Sequence, residues 1–495
     1  MHRQSELEPA CPTTTTSRDV VIVGGGATAV STFTQLTAKL SPGDSVTIVD
    51  PNPVGFGHAF GTSDPLLLCN TSVDVTSLRA DDGSDLLDYL SSRGWPAHPE
   101  DFVPRYLVGQ YCRERYQESR RRAERRGIRI EHRRTRATAV RRETNGSYSV
   151  ELTGSTPLFA TDVLLCLGLD RPVLPEPVRR HAGHPAMLDA PYPVDRLREL
   201  PRDAEVLVLG TKLSAIDAAL VLCRDGRRTV MTSPSGELPA VRTRLRRPER
   251  PLLDTDRWQR LTPGTANLDR EVARLLVEAV NRADRPLPLR EQTSPAGAPA
   301  TRLERELALA AAGRVPWQDV VAEVIDTVND WTAAWPATTR ADVLGRYRTV
   351  MSRYISAIPE RNARLLAEHL AAGRLSVATG YPASIEPEGP ASWRVEWPDG
   401  RVEHFTHVVC GTGFQKPQLS LAGPGSYRIG PPGPGAAVPE ITADLRLREP
   451  EHPTPDRIWV VGAAAHHRTA IVNYLNAAAK QAARIAAQFA TAVPV

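Results

Sequence analysis

Short apolar runs that end in glycine recur along the chain, separated by stretches with helical spacing. Val20–Val23 (VVIV) reads as a buried strand, Gly24, Gly25 and Gly26 as a tight turn, and ATAVSTFTQLTAKL as a helix of small and apolar residues. Ser45–Val49 is the next strand and ends in Asp50. IRIEHRRT, ATAVRRE, YSVEL and DVLLCLG follow as strands after the long basic segment DFVPRYLVGQYCRERYQESRRRAERRG. The same order returns at Ala204–Gly226 (AEVLVLGTKLSAIDAALVLCRDG) and RRTVMTS: apolar strand, glycine turn, small-residue helix, second strand. From Pro239 to Gly373 the period becomes helical, with DREVARLLVEAVNRA, TRLERELALAAAG, WQDVVAEVIDTVNDWTAAW, RADVLGRYRTVMSRYI and PERNARLLAEHLAAG. Strands resume with RLSVATG, a hairpin turning at Asp399-Gly400, THVVCGTGF and DRIWVVGAAA, and Ile471–Phe489 is the last helix.

The first turn matches G-x-G-x-x-G/A at Gly24, Gly26 and Ala29. Gly24 permits the bend, Gly26 lets backbone N–H groups approach a pyrophosphate, and Ala29 lets helix and strand lie close. Asp50 is placed to accept hydrogen bonds from ribose hydroxyls. The second turn departs from this pattern: Gly210 keeps the first glycine, but Lys212 stands where a small residue is expected. A lysine there either blocks the approach of a pyrophosphate or neutralises it. Arg227, Arg228, Arg242 and Arg244 are the nearby candidates for a 2′-phosphate.

With 495 residues, two or three domains are expected. The divisions read as a lead-in at 1–18, a first nucleotide-binding unit at 19–172, and a second unit beginning at 200–240. A helical insertion follows at 241–373, then a return to the second unit at 374–400 and to the first at 401–490. A net charge of +4 is too small to argue for nucleic acid, and the run Arg113–Arg142 reads as a solvated face. The six cysteines show no metal-ligand spacing, which suits reduced thiols in a cytoplasmic protein. Neither a secretion signal nor a membrane span is expected. His466-His467 lack a third ligand, and no metal site is expected. Trp317, Trp331 and Trp335 read as core.

VVIVGGGATA, GFGHAFG, LLLCNTSVDVTSL, DFVPRYLVGQY, GTKLSAID and THVVCGTGF together resemble the flavoproteins with two dinucleotide-binding domains. That group contains the flavin-dependent monooxygenases and amine N-hydroxylases. The resemblance implies an α/β fold with two Rossmann-like domains, FAD in the first and NADPH or NADH in the second. It assigns FAD to Gly24, Gly25, Gly26, Ala29, Asp50, Gly57, Asn70, Gly413, Phe414, Gly462 and Asn473. It assigns the nicotinamide dinucleotide to Gly210, Lys212 and Ser214. Asn70 is the implied catalytic residue, close to the oxygen adduct at flavin C4a, where an amide donates without adding charge; an Asn that satisfies loop backbone is the alternative. Cys69 reads as packing.

The implied reaction is monooxygenation through a C4a-hydroperoxide of a small amine or amino-acid-like substrate, free or carrier-bound. A flavin oxidase or dehydrogenase with a degenerate second site, and a non-catalytic flavin-binding protein, remain alternatives.

Overall fold

The computed structural model describes residues 17–283, 291, 297–450, 452–472 and 474–491. Its frame is two five-stranded parallel sheets. In the first, the order is Ile458–Val460, Asp162–Leu165, Asp19–Val23, Ser45–Val49, Arg129–Arg133. In the second, it is Leu375–Thr379, Arg228–Ser233, Glu205–Leu209, His407–Cys410, Met187–Leu188. The strand that feeds the glycine turn is central in each. These strands are almost wholly buried and apolar because helices cover both faces of a parallel sheet.

The repeat extends beyond the turns. In both units a long helix leads into an edge strand: Arg105–Arg125 before Arg129–Arg133, and Glu360–Ala371 before Leu375–Thr379. Each unit also carries an antiparallel meander. The first is Ala137–Arg142, Tyr148–Leu152 and Ser155–Ala160, the last of these not foreseen because its side chains are mostly exposed. The second is Ser384–Gly389, Ser392–Glu396 and Val402–Phe405, turning at Asp399-Gly400 as expected.

Three expected boundaries move. The return to the first unit does not fall at 401, because Val402–Phe405 and His407–Cys410 both pair inside the second unit. The second unit starts before 200, since Met187–Leu188 closes the edge of its sheet. Glu360–Ala371, expected inside the insertion, is the second unit's crossover helix. The true crossings lie side by side: Val173 N–H donates to Gly413 O (3.0 Å), Asp170 N–H to Gln415 O (2.9 Å) and Gln415 N–H to Arg171 O (2.9 Å).

The insertion's helices share one hydrophobic core with the second unit. Trp331 packs edge-on against Trp258 and Trp335, at 5.3 and 4.5 Å between ring centres, and Trp317 against Tyr354 at 5.0 Å. The tryptophans are therefore core residues. RADVLGRYRTVMSRYI, expected as one helix, is two, Ala337–Arg346 and Arg348–Tyr354, broken at Tyr347. Among the described residues no helix is long and apolar enough to cross a membrane.

Candidate functional site: two glycine turns and the ties between them

Gly24 has φ +109°, and a Cβ there would lie 2.4 Å from Cys166 O, so the turn accepts no side chain. Gly26 is the N-cap of helix Ala27–Thr37, whose first-turn N–H groups have no intrahelical acceptor. No acidic residue occupies that turn, so the helix head is open to an anion. Ala29 is fully buried against the sheet. Asp50 accepts from Gly25 N–H and Asn52 N–H, both at 2.7 Å, one on each carboxylate oxygen. Each oxygen retains a lone pair for a ribose hydroxyl.

The GFGHAFG loop closes on this turn. A Cβ on Gly57 would approach Gly26 Cα to 2.9 Å, and one on Gly109 of the long helix would meet Phe60 O at 2.3 Å. Gly462, with φ +64°, packs on Thr28. His58 stands edge-on to Phe414 at 4.6 Å, and burial pushes its pKa down. Gly413 (φ +87°) and Phe414 thus sit where the chain crosses between units, beside the first loop. Asn473 lies outside the described residues.

Asn70 is half-buried, and its amide has no hydrogen-bond partner among the described residues. It does not serve the loop backbone. Its neighbours are fixed instead: Cys69 N–H donates to Val103 O (2.9 Å) and Arg105 N–H to Leu67 O (2.8 Å). Burial pushes the Cys69 thiol up to about 12, which keeps it protonated and suits a packing role.

Arg105 holds more than this loop. Its Nε donates to Leu68 O (3.0 Å), Nη1 to Tyr192 Oη (3.0 Å), and Nη2 pairs with Asp217 Oδ2 (2.8 Å), to which Tyr192 also donates. Asp217 belongs to the second unit's glycine-turn helix, Leu213–Arg224. A second tie sets the buried Asp64 of the first unit against the part-exposed Arg198 (2.7 Å) and Arg224 (3.0 Å) of the second. Sequence reading missed both ties, because their members are far apart in the chain and follow no spacing.

The second turn has the same backbone with different chemistry. Gly210 has φ +123°, and its N–H donates to Thr232 O (2.6 Å) as Gly24 N–H does to Val49 O (2.9 Å). Ser233 therefore occupies the place of Asp50, and Thr211 Oγ1 hydrogen-bonds to it at 2.8 Å. Lys212 is the N-cap, and its Nζ donates to Glu237 O at 3.1 Å. Burial lowers the Lys212 pKa, partly offset by Glu237. Ser214 is half-buried in the first helical turn.

The arginines considered for a 2′-phosphate are placed elsewhere. Arg227 is buried on the carbonyls of Arg198, Leu200 and Pro201. Arg228 begins its strand, at the edge opposite the turn, and pairs with Glu205; ligands of parallel sheets bind at the carboxyl edge. Arg244 pairs with Asp319 (2.7 Å). Arg242 is buried on the Tyr354 and Ile355 carbonyls. The His466 and His467 rings lie 4.0 Å apart, and burial lowers both pKa values, that of His466 to about 4. Among the described residues no group of three or more His, Cys, Asp or Glu could hold a metal.

Residues 21–170 match the model of an FAD-NAD(P)-binding family. No curated protein sequence matches the chain. Among solved structures it is similar to an ornithine N-hydroxylase from Kutzneria sp. 744, at 14% identity over 96% of this chain and 99% of that one, with a TM-score of 0.57. It is also similar to an L-lysine 6-monooxygenase from Pseudomonas syringae, at 15% identity over 96% and 100%, TM-score 0.57. A third is a cadaverine monooxygenase from Erwinia amylovora, at 15% identity over 97% and 96%, TM-score 0.58. The chain shares its two-domain α/β fold with these three structures.

Proposed function

We propose that this protein is an FAD-dependent monooxygenase of the cytoplasm that hydroxylates the nitrogen of a small amine or amino-acid-like substrate, free or carrier-bound. The supporting observation is the pairing, in one chain, of an acid-bearing first turn with an acid-free second turn, over a length shared with N-hydroxylating enzymes. The similar structures from Kutzneria and Erwinia are described with FAD, and the former with NADP+ and L-ornithine as well.

The first turn fits FAD. Gly24–Gly26 and the head of helix Ala27–Thr37 hold the pyrophosphate, worth about 0.3–1 kcal/mol per favourable charge at a helix end, and Asp50 holds the adenosine ribose. Gly57, Gly413, Phe414 and Gly462 shape the route of the rest of the cofactor. At the second turn, Gly210 and Ser214 line the approach of the nicotinamide dinucleotide and Lys212 faces its phosphates. Ser233 in the place of the acid favours NADPH over NADH, because a carboxylate there would repel a 2′-phosphate.

FAD held at the first turn would, once reduced, supply the two electrons that split dioxygen, one oxygen atom going to the amine nitrogen and the other leaving as water. The chain's part is to hold and shield that reaction. The Asn70 amide, unspent on the backbone, donates a hydrogen bond toward the reacting oxygen without bringing a charge. Cys69 packs behind it, and the helical insertion covers the second unit and excludes water.

Anaerobic mixing with NADPH and with NADH tests the assignment. Rapid bleaching of the flavin by NADPH supports it. The Lys212 contact with Glu237 O favours a second reading, an oxidase in which the substrate reduces the flavin. Reduction by an amine but by neither dinucleotide would select that reading.

A further inference from the structure

The four arginines considered for a 2′-phosphate are spent away from the second turn, so a phosphate there needs a cation from elsewhere in the fold. Ser233 ends its strand, and the chain turns at once: Gly236 N–H donates to Ser233 O (3.1 Å) and Oγ (3.0 Å). That turn brings Glu237 back to the glycine turn, where its carbonyl accepts from Thr211 Oγ1 (2.8 Å) and Lys212 Nζ (3.1 Å). Its carboxylate faces Arg302, with 3.6 Å from Oε1 to Nη1. Thr211, Lys212, Ser233, Glu237 and Arg302 thus meet at the carboxyl edge of the second sheet, where ligands of parallel sheets bind.

Arg302 comes from the insertion. It lies on helix Pro299–Ala311, which packs against the second unit's crossover helix Glu360–Ala371. Glu306, one helical turn further on, is taken by Arg353, so among the described residues Glu237 is the carboxylate paired with Arg302. The pair is loose. Its 3.6 Å separation exceeds hydrogen-bond reach, the Glu237 side chain is 37% exposed, and ion pairs so open to water are weak. The Arg302 side chain is only 16% exposed, yet it makes no hydrogen bond among the described residues. Its fork of donors is unspent. Two cations, Lys212 and Arg302, therefore face one carboxylate.

We propose that Arg302 is the residue that recognises the 2′-phosphate of NADPH, giving up Glu237 for the phosphate when the dinucleotide binds. The assignment rests on the reading of the second turn as an NADPH site. A phosphate accepts two parallel N–H bonds from a guanidinium, which Glu237 does not do in the free protein. NADH presents a hydroxyl in that place and gains nothing by displacing Glu237. Ser233 leaves room for the phosphate, and the insertion supplies the discrimination.

Titration of the FAD-bound protein with NADP+ and with NAD+ reads this as binding, without turnover. Wild type is expected to bind NADP+ roughly tenfold or more tighter than NAD+, and Arg302→Ala to lose that margin by weakening NADP+ alone. Arg302→Lys, a point charge without the fork, should recover part of it. Equal weakening of both dinucleotides in Arg302→Ala would mark a merely structural residue and overturn the proposal, as would a preference for NADP+ that survives the substitution.

If Arg302→Ala does not fold, Glu237→Gln carries the test. Removing the competing carboxylate should tighten NADP+ by about threefold or more and leave NAD+ unchanged; unaltered NADP+ binding, or an equal change in NAD+, contradicts the proposal. Wild type that binds neither dinucleotide removes the NADPH-site reading and this assignment with it. The expected binding pattern without hydroxylamine production keeps Arg302 in its role and removes the proposed reaction.

Discussion

Arg105 and Asp217 lie 2.8 Å apart, one at the head of the first unit's long helix and the other inside the second unit's glycine-turn helix. Both side chains are largely withdrawn from water, and Tyr192 donates to the same carboxylate. Because Arg105 also holds Leu68 O, two residues before Asn70, the pair links the Asn70 loop to the second nucleotide unit.

Removing one partner of a buried pair strands the other. Asp217→Ala should lower stability by about 3–5 kcal/mol. Asp195→Ala, which removes an exposed partner of Arg198, should change it by less than about 1 kcal/mol. Urea midpoints of the two variants against wild type give the comparison.

Gly24→Ala combines a left-handed backbone with a 2.4 Å collision, whereas Gly43→Ala has φ +95° with nothing within 4 Å. Both should lose about 1–3 kcal/mol from backbone strain. Only Gly24→Ala should also lose its flavin, read from the visible spectrum after purification.

Lys212→Ala tests whether the second turn works. Loss of a charge-assisted hydrogen bond of about 1.5–3 kcal/mol should weaken NADPH roughly tenfold or more in anaerobic flavin-reduction titrations. Tighter NADPH binding in the variant would instead identify the lysine as an obstruction.

His466 contributes a pH dependence of definite sign. Its folded pKa, about 4, lies below the ordinary value of 6.5, so the unfolded chain binds the proton more readily. This contribution to stability is complete above about pH 6.5 and is lost as the pH falls toward 4. Thermal midpoints between pH 7 and 4 should fall more steeply for wild type than for His466→Gln.

The two glycine turns were legible because their information is local: strand, glycine and helix head are adjacent in sequence. The hairpin at Asp399-Gly400 was legible for the same reason. The division at 401 misled because the sequence carries no signal for which sheet a buried run such as HVVC will join; that depends on Glu205–Leu209, some two hundred residues earlier. Glu360–Ala371 has the same helical period as the insertion before it, and its role as a crossover helix appears only once Leu375–Thr379 is seen at the sheet edge. The chemistry of the Asn70 neighbourhood was partly legible. LLLCNTS drew attention, but Arg105, Tyr192 and Asp217 meet only through folding.

Isotopic labelling separates oxygen transfer to nitrogen from simple oxidation of the amine. The FAD-bound protein is supplied with NADPH, an accepted amine and 18O2, and the product is analysed by mass. The expected product is a hydroxylamine carrying one 18O atom, with Asn70→Ala diverting oxygen to hydrogen peroxide. A dehydrogenated amine free of 18O, with all consumed oxygen recovered as peroxide, would contradict it.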